Sequence, residues 1–213
     1  MSSRPPLFTG PFLRLLAFVF ITFTSAFQLF PTMPLRIIEL GGSKAAAGLF
    51  LAVYTWASAI AAPLTGTVAD NFGRRRLMLT ASIAFLLFTL LYAMTTSLPI
   101  LLAIGLVHGV LWSGLLSASG AVLTSIIPST RRVEGLGYYG MAPTLAIAFA
   151  PLLGLHLFKT AGWAAVCASM AVLSVVILLL GLRITDSHQP IRRWPRPRQL
   201  VDWRVVLVGT TLL

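Results

Sequence analysis

Gly66-Thr67-Val68-Ala69-Asp70-Asn71-Phe72-Gly73-Arg74-Arg75-Arg76 is a charged hairpin set between two long apolar runs. Asp70 belongs to a set of only five carboxylates in the chain and stands just ahead of three consecutive arginines. A short loop of this kind between membrane spans has to tie two helices together. Its arginines also decide which side of the membrane it occupies.

The rest of the chain explains why the hairpin stands out. Hydrophobic residues make up 57% of the sequence, charged residues 10%, and the mean hydropathy is +0.91. A soluble domain carries about a quarter of its residues as charged side chains, so this chain could not coat a water-facing surface. The net charge of +11 would point to nucleic acid in a soluble protein. Here the basic residues sit in short loops between apolar runs, which is the pattern of membrane orientation, and no nucleic-acid partner is expected. Cys167 is the single cysteine and lies in an apolar run, which rules out an internal disulfide and reads as small filler.

A bilayer core about 30 Å thick takes roughly 20 apolar residues per helix. Charge-free intervals run from Leu15 to Leu35, Ala45 to Ala69, Leu77 to Thr130, Gly135 to Phe158 and Thr160 to Leu182. The third is too long for one span and breaks at Thr95-Thr96-Ser97-Leu98-Pro99, where a polar turn precedes a proline. Six spans result, near 12–34, 46–69, 77–95, 98–124, 135–157 and 161–182. The expected organisation is a six-helix bundle over 1–183, a basic cytoplasmic linker over 184–204 and the truncated start of a seventh helix over 205–213.

The loops then alternate in charge. One side holds Arg4, Arg14, Arg74, Arg75, Arg76, Arg131, Arg132, Arg183, Arg192, Arg193, Arg196, Arg198 and Arg204, and the other only Arg36, Lys44 and Lys159. Positive charge marks the cytoplasmic side, so the N-terminus, the hairpin and the loop after span six are expected there, in a multi-pass protein of a bacterial inner membrane. Arg4 and Arg14 ahead of an apolar run imitate a signal peptide, but the run is long and has no clean small-x-small cleavage site.

On these residues the chain resembles the major facilitator superfamily of secondary transporters. The signature loop of that family joins spans two and three and reads roughly G-x-(L/V)-x-D-(R/N)-x-G-R-(R/K). Gly66, Val68, Asp70, Asn71, Gly73, Arg74 and Arg75 fall on it in register. Gly66 is expected to let helices approach closely and Gly73 to supply an open turn conformation. The resemblance implies an all-α fold in which three helices repeat, inverted, as the next three. It also implies that Asp70 and Arg74, with Gly66, Gly73 and Arg75, form a conformational gate gripping the opposite half of the transporter. Ala62-Pro63-Leu64-Thr65-Gly66 and Ala150-Pro151-Leu152-Leu153-Gly154 are a trace of the inverted repeat.

In span five, Gly137, Ala146, Ala150, Pro151 and Gly154 follow the spacing of the glycine-proline packing motif of the antiporter branches, with two glycines replaced by alanine and the last by Leu155. Three small residues and a proline are equally ordinary packing material. In span four the family often places an arginine four residues before a glycine. This chain has Gly105 ahead of Gly109, so the role attached to that arginine does not carry over.

His108 is the one ionisable residue deep in a span, roughly 15 Å in at 1.5 Å per residue. Leu101, Gly105, His108, Trp112 and Ser119 share one helical stripe. His108, Trp112 and Gln28 are the candidate cavity residues, with His108 bonding substrate or a coupling proton or, alternatively, bonded to a neighbouring helix. Thr24, Ser25, Tyr54, Trp56, Tyr138 and Tyr139 read as weaker lining positions or interfacial anchors.

The leading expectation is a carrier that moves a small solute by alternating access, an exporter or a proton-coupled transporter, with no cofactor or metal. Six spans supply half of the twelve helices found in the family, so the competing expectation is a half without transport of its own, completed by a second half or by self-association. A membrane enzyme is disfavoured, because Ser113 and His108 point to different helix faces and no paired carboxylates are present.

Overall fold

A computed structural model describes residues 5–185. The expected linker past Thr185 and the seventh apolar stretch lie outside the described residues. Helix α1 runs Gly10–Glu39, α2 Lys44–Phe72, α3 Arg74–Met94 and α4 Leu98–Ile126. A short 3-10 turn, Ser129–Arg131, leads into a helical run Arg132–Leu182, which breaks at Gly162 (φ 77°, ψ −174°). That break makes two helices, α5 over 132–161 and α6 over 163–182. The described residues thus form an all-helical membrane bundle in which α1 to α4 and the run that holds α5 and α6 are long and apolar enough to cross a bilayer. At 1.5 Å per residue α1 is about 45 Å long, which exceeds the hydrocarbon core and carries both ends into the headgroup layers.

Local chemistry sets the boundaries. Ser43 opens α2, its Oγ accepting from the Ala46 N–H at 3.1 Å, which satisfies one of the free amides of the first turn. Gly73 closes α2 and opens α3 at φ 103°, a conformation a side chain would strain, and its N–H still bonds Ala69 O at 3.1 Å. Thr95 ends α3 in an extended conformation, and α4 begins with proline in its first turn.

The Arg131 guanidinium reaches Pro5 O at 3.0 Å, and Arg14 donates to Arg183 O at 2.9 Å. Both ends of the 132–182 run therefore lie beside the start of α1. Midway along, Gly154 of α5 and Ser169 of α6 both meet Gln28. So α5 and α6 run antiparallel, one out and one back. Helix α2 packs on α4 and α1 on α5, while α3 lies against α4 and α6 against α1. Exchanging α1–α3 with α4–α6 maps this pattern onto itself, as an inverted three-plus-three repeat requires.

Two glycines let the backbones of neighbouring helices meet. A Cβ on Gly109 would overlap the Tyr54 carbonyl oxygen and stand 3.2 Å from Ala57 Cβ, while one on Gly154 would lie 2.8 Å from Gln28 O. Gly105, one turn before Gly109, lets the Phe50 ring in, with 2.7 Å to a Cβ placed there. The α2–α4 and α1–α5 contacts thus both rest on small residues that let backbones meet.

The packing expected of Gly66 and Gly137 is absent among the described residues. Neither has any atom within 4 Å of a Cβ placed on it. Gly66 lies on the open side of α2, near exposed Pro63 and Leu64, and Gly137 on an exposed row of α5 with Gly140, Met141 and Thr144. Ala146, Ala150 and Gly154 are buried, so the lower part of the span-five motif packs while its first glycine does not. Pro151 is half-buried inside α5. The paired pentapeptides also differ in environment, since Gly154 is buried and Gly66 is not.

Candidate functional site

Two clusters carry the chemistry, one at the basic end of the bundle and one in its interior. At the basic end Gly73 turns the chain so that Asp70, one turn back on α2, faces Arg74 on the first turn of α3. Arg74 donates from one terminal nitrogen to Asp70 Oδ1 at 3.3 Å and from the other to Ala121 O of α4 at 3.1 Å. One side chain thus joins three helices. Its Nε is buried without a partner, as is Asn71 Oδ1 nearby, whose amide nitrogen donates to Thr67 O at 2.9 Å. Arg74 is largely covered at 16% side-chain exposure, while Asp70 keeps 43%.

Arg75 points elsewhere. Its Nε donates to Ile184 O at 2.8 Å and a terminal nitrogen to Leu182 O at 2.9 Å, covering carbonyls at the end of α6 where the helix dipole is negative. Gly66 lies one turn before Asp70 and touches neither arginine. Beside this end Arg131 holds Glu134 with two bonds, of 2.8 and 2.6 Å. Those bonds to Glu134 raise the guanidinium above its ordinary value.

In the interior, His108 is buried at 2% exposure among aromatic rings. Its ring centre lies 4.6 Å from that of Phe85, 5.1 Å from those of Phe88 and Tyr54, and 6.0 Å from that of Tyr92. Tyr92 Oη is 3.3 Å from His108 Nδ1, and the Trp163 indole N–H donates to Tyr92 O at 2.9 Å. Trp112 stacks edge-on against Phe23, with centres 4.9 Å apart. Gln28 is fully buried, its Nε2 donating to Thr24 O and its Oε1 accepting from Ser169 of α6 at 3.0 Å. The stripe of α4 therefore faces the bundle's own core. His108, Trp112 and Gln28 touch helices of this half rather than an open face.

Sequence reasoning missed Tyr92 and Trp163, because the bond that places them crosses from α3 to α6 and leaves no periodic trace. It also placed Tyr54 with the interfacial aromatics, whereas Tyr54 is 2% exposed with its hydroxyl buried and unpartnered. Trp56, two residues on, is 67% exposed. Tyr139 bonds Ser119 at 2.9 Å, joining α5 to α4, and Tyr138 packs on Phe8. Among the described residues no group of three or more His, Cys, Asp or Glu is placed to hold a metal ion. Tyr92→Phe should cost about 1 kcal/mol, the usual net value of a buried hydrogen bond, in denaturant unfolding of the purified chain.

The geometry has counterparts among known proteins. The family described as the Major Facilitator Superfamily matches residues 15–213. Multidrug resistance protein 2 of Bacillus subtilis (strain 168) is 26% identical over 189 residues, 84% of this chain and 46% of that protein. The class B tetracycline resistance protein of Escherichia coli is 34% identical over 131 residues, 58% of this chain and 31% of that protein. A peptide transporter, POT, solved with sulfate, superposes with a TM-score of 0.77 at 15% identity, covering 99% of this chain and 46% of that one. The human organic anion transporter MFSD10 (TETRAN) gives 0.69 at 20% identity, covering 91% and 51%. The chain spans half or less of the length of the first curated relatives it matches. With the six-helix inverted repeat, the charged turn between its second and third helices, and a family match over nearly its whole length, this chain belongs to the Major Facilitator Superfamily.

Proposed function

We propose that the six helices form one of the two rocking halves of a secondary transporter that exports a small solute by alternating access. The drug-resistance names of the relatives support an efflux-type substrate. The bundle sits in a bacterial inner membrane with its basic end in the cytoplasm, as the arginine asymmetry supports. A carboxylate proton relay would have to lie outside these helices, because Glu39, Asp70 and Glu134 all stand at helix ends.

One observation carries this reading. Asp70 meets Arg74 with Oδ1 alone and is still 43% exposed, leaving an acceptor edge open at the end of α2. A donor on a facing half could occupy that edge in one state and leave it in the other. Asp70→Asn keeps the shape and removes the charge. It should cut transport about tenfold, the effect of a 1.4 kcal/mol shift between states, with membrane insertion unchanged. Measured in proteoliposomes that hold both halves of the transporter, transport at the parental rate would reject the gate.

A second reading has its own support, namely that this chain is a subunit without transport of its own, completed by a second half on another polypeptide. Helices α2 and α5 leave Trp56, Ile60, Phe149 and Leu152 each more than 60% exposed, along surfaces no other described helix covers. Solute uptake by proteoliposomes containing this chain alone would rule it out.

A further inference from the structure

A cavity of about 580 Å³ opens between α1, α3 and α6 at the end of the bundle opposite the charged turn. Its lining includes Arg36, Ala93, Gly162, Ala164, Ala168 and Ala171. Apart from Ala161 at the α5–α6 turn, no residue of α2, α4 or α5 contributes to it. It is therefore separate from the exposed surfaces of α2 and α5 that a facing half would cover.

The cavity is amphipathic along its length. Its outer end lies at the Gly162 turn, at headgroup depth, and holds the one charged group of its lining, Arg36. From there an alanine-floored slot descends beside α6 to Ala171, about 13 Å at 1.5 Å per residue. That is close to the thickness of one hydrocarbon leaflet. Alanines at 164, 168 and 171 share one face of α6 and leave room where larger side chains would fill it.

Arg36 has donors to give. A guanidinium carries five N–H groups. Among the described contacts only one nitrogen of Arg36 is engaged, Nη1 with Glu39 Oε2 at 3.3 Å, and Nε is buried without a partner. Glu39 is half exposed and so hydrated, which weakens its claim on the arginine. A cation with unused donors at headgroup depth, above an apolar slot of acyl-chain length, matches one kind of molecule. We propose that this groove binds an anionic glycerophospholipid, its phosphate on Arg36 and one acyl chain along Ala164, Ala168 and Ala171.

The test uses the whole chain in nanodiscs of phosphatidylcholine, with and without phosphatidylglycerol. Cys167 lines the same cavity and is the only cysteine, so its maleimide labelling reports occupancy. Phosphatidylglycerol should slow labelling about fivefold, as expected for one basic side chain at an anionic surface. Arg36→Gln should remove that protection in the same bilayers, which controls for surface potential, while Arg36→Lys keeps part of it. Ala168→Phe fills the slot without touching the charge, so it should lower phosphatidylglycerol retention in native mass spectrometry even if Arg36→Gln folds poorly. Equal labelling in both bilayers, protection that survives Arg36→Gln, or equal protection by inorganic phosphate in phosphatidylcholine would each overturn the proposal.

Discussion

Gly109→Ala should destabilise the purified bundle by about 3 kcal/mol, the upper part of the range for overpacking a close contact. Gly120→Ala, on the same helix, should be neutral or stabilise by up to about 1 kcal/mol. Both substitutions add one methyl to α4, and both improve intrinsic helix propensity. They differ only in what the methyl meets. At Gly120 nothing lies within 4 Å, whereas at Gly109 the new carbon collides with the Tyr54 carbonyl oxygen and crowds Ala57. The obstacle is backbone, which cannot rotate away, so α2 and α4 must separate. Separation also opens the aromatic cage, because Tyr54 and His108 face each other across that contact. Denaturant unfolding of the two variants in one detergent measures the difference. Equal stabilities would mean that α2 and α4 do not meet at Gly109.

That contrast also marks how far the sequence could be read. Hydropathy and charge located the six described helices to within a few residues at most ends, because a bilayer imposes length and loops carry the arginines. The breaks at Thr95–Pro99 and at Gly73 were legible, since each depends on local backbone chemistry. Glycines were not. Gly66, Gly109 and Gly154 look alike in a string of small residues, yet the first faces open space and the others meet backbone. The difference depends on which helix lies opposite, and no local pattern encodes that. His108 shows the same limit. The stripe through Leu101, Gly105 and Trp112 correctly grouped one face of α4, but the face could have looked onto a cavity or a core. The rings that decide it, Tyr54, Phe85, Phe88 and Tyr92, come from α2 and α3. The turn residues divide in a similar way. Asp70 and Arg74 were read together, but the bond from Arg75 to the end of α6 joins residues more than a hundred positions apart.

Arg74→Ala should cost about 2 kcal/mol of stability, within the range for a hydrogen-bonded charge, while Asp70→Asn should cost less than about 1 kcal/mol. The asymmetry follows from burial. Arg74 is largely covered and ties α3 to both Asp70 and the Ala121 carbonyl, which also accepts from Thr124 at 2.9 Å. Removing it frees two partners on two helices. Asp70 loses little when neutralised, because water screens its half-exposed carboxylate and an amide oxygen still accepts from Arg74. A double-mutant cycle on the two positions should return a coupling below about 1 kcal/mol, leaving most of the Arg74 effect in the bond to α4. Arg74→Lys keeps the charge but not the fork that spans both acceptors, so it should fall between parent and alanine. The two residues would then have different work at one turn, Arg74 fastening this half together and Asp70 remaining available to a facing one. If Asp70→Asn destabilises as much as Arg74→Ala, the aspartate is structural, and any loss of transport in that variant says nothing about gating.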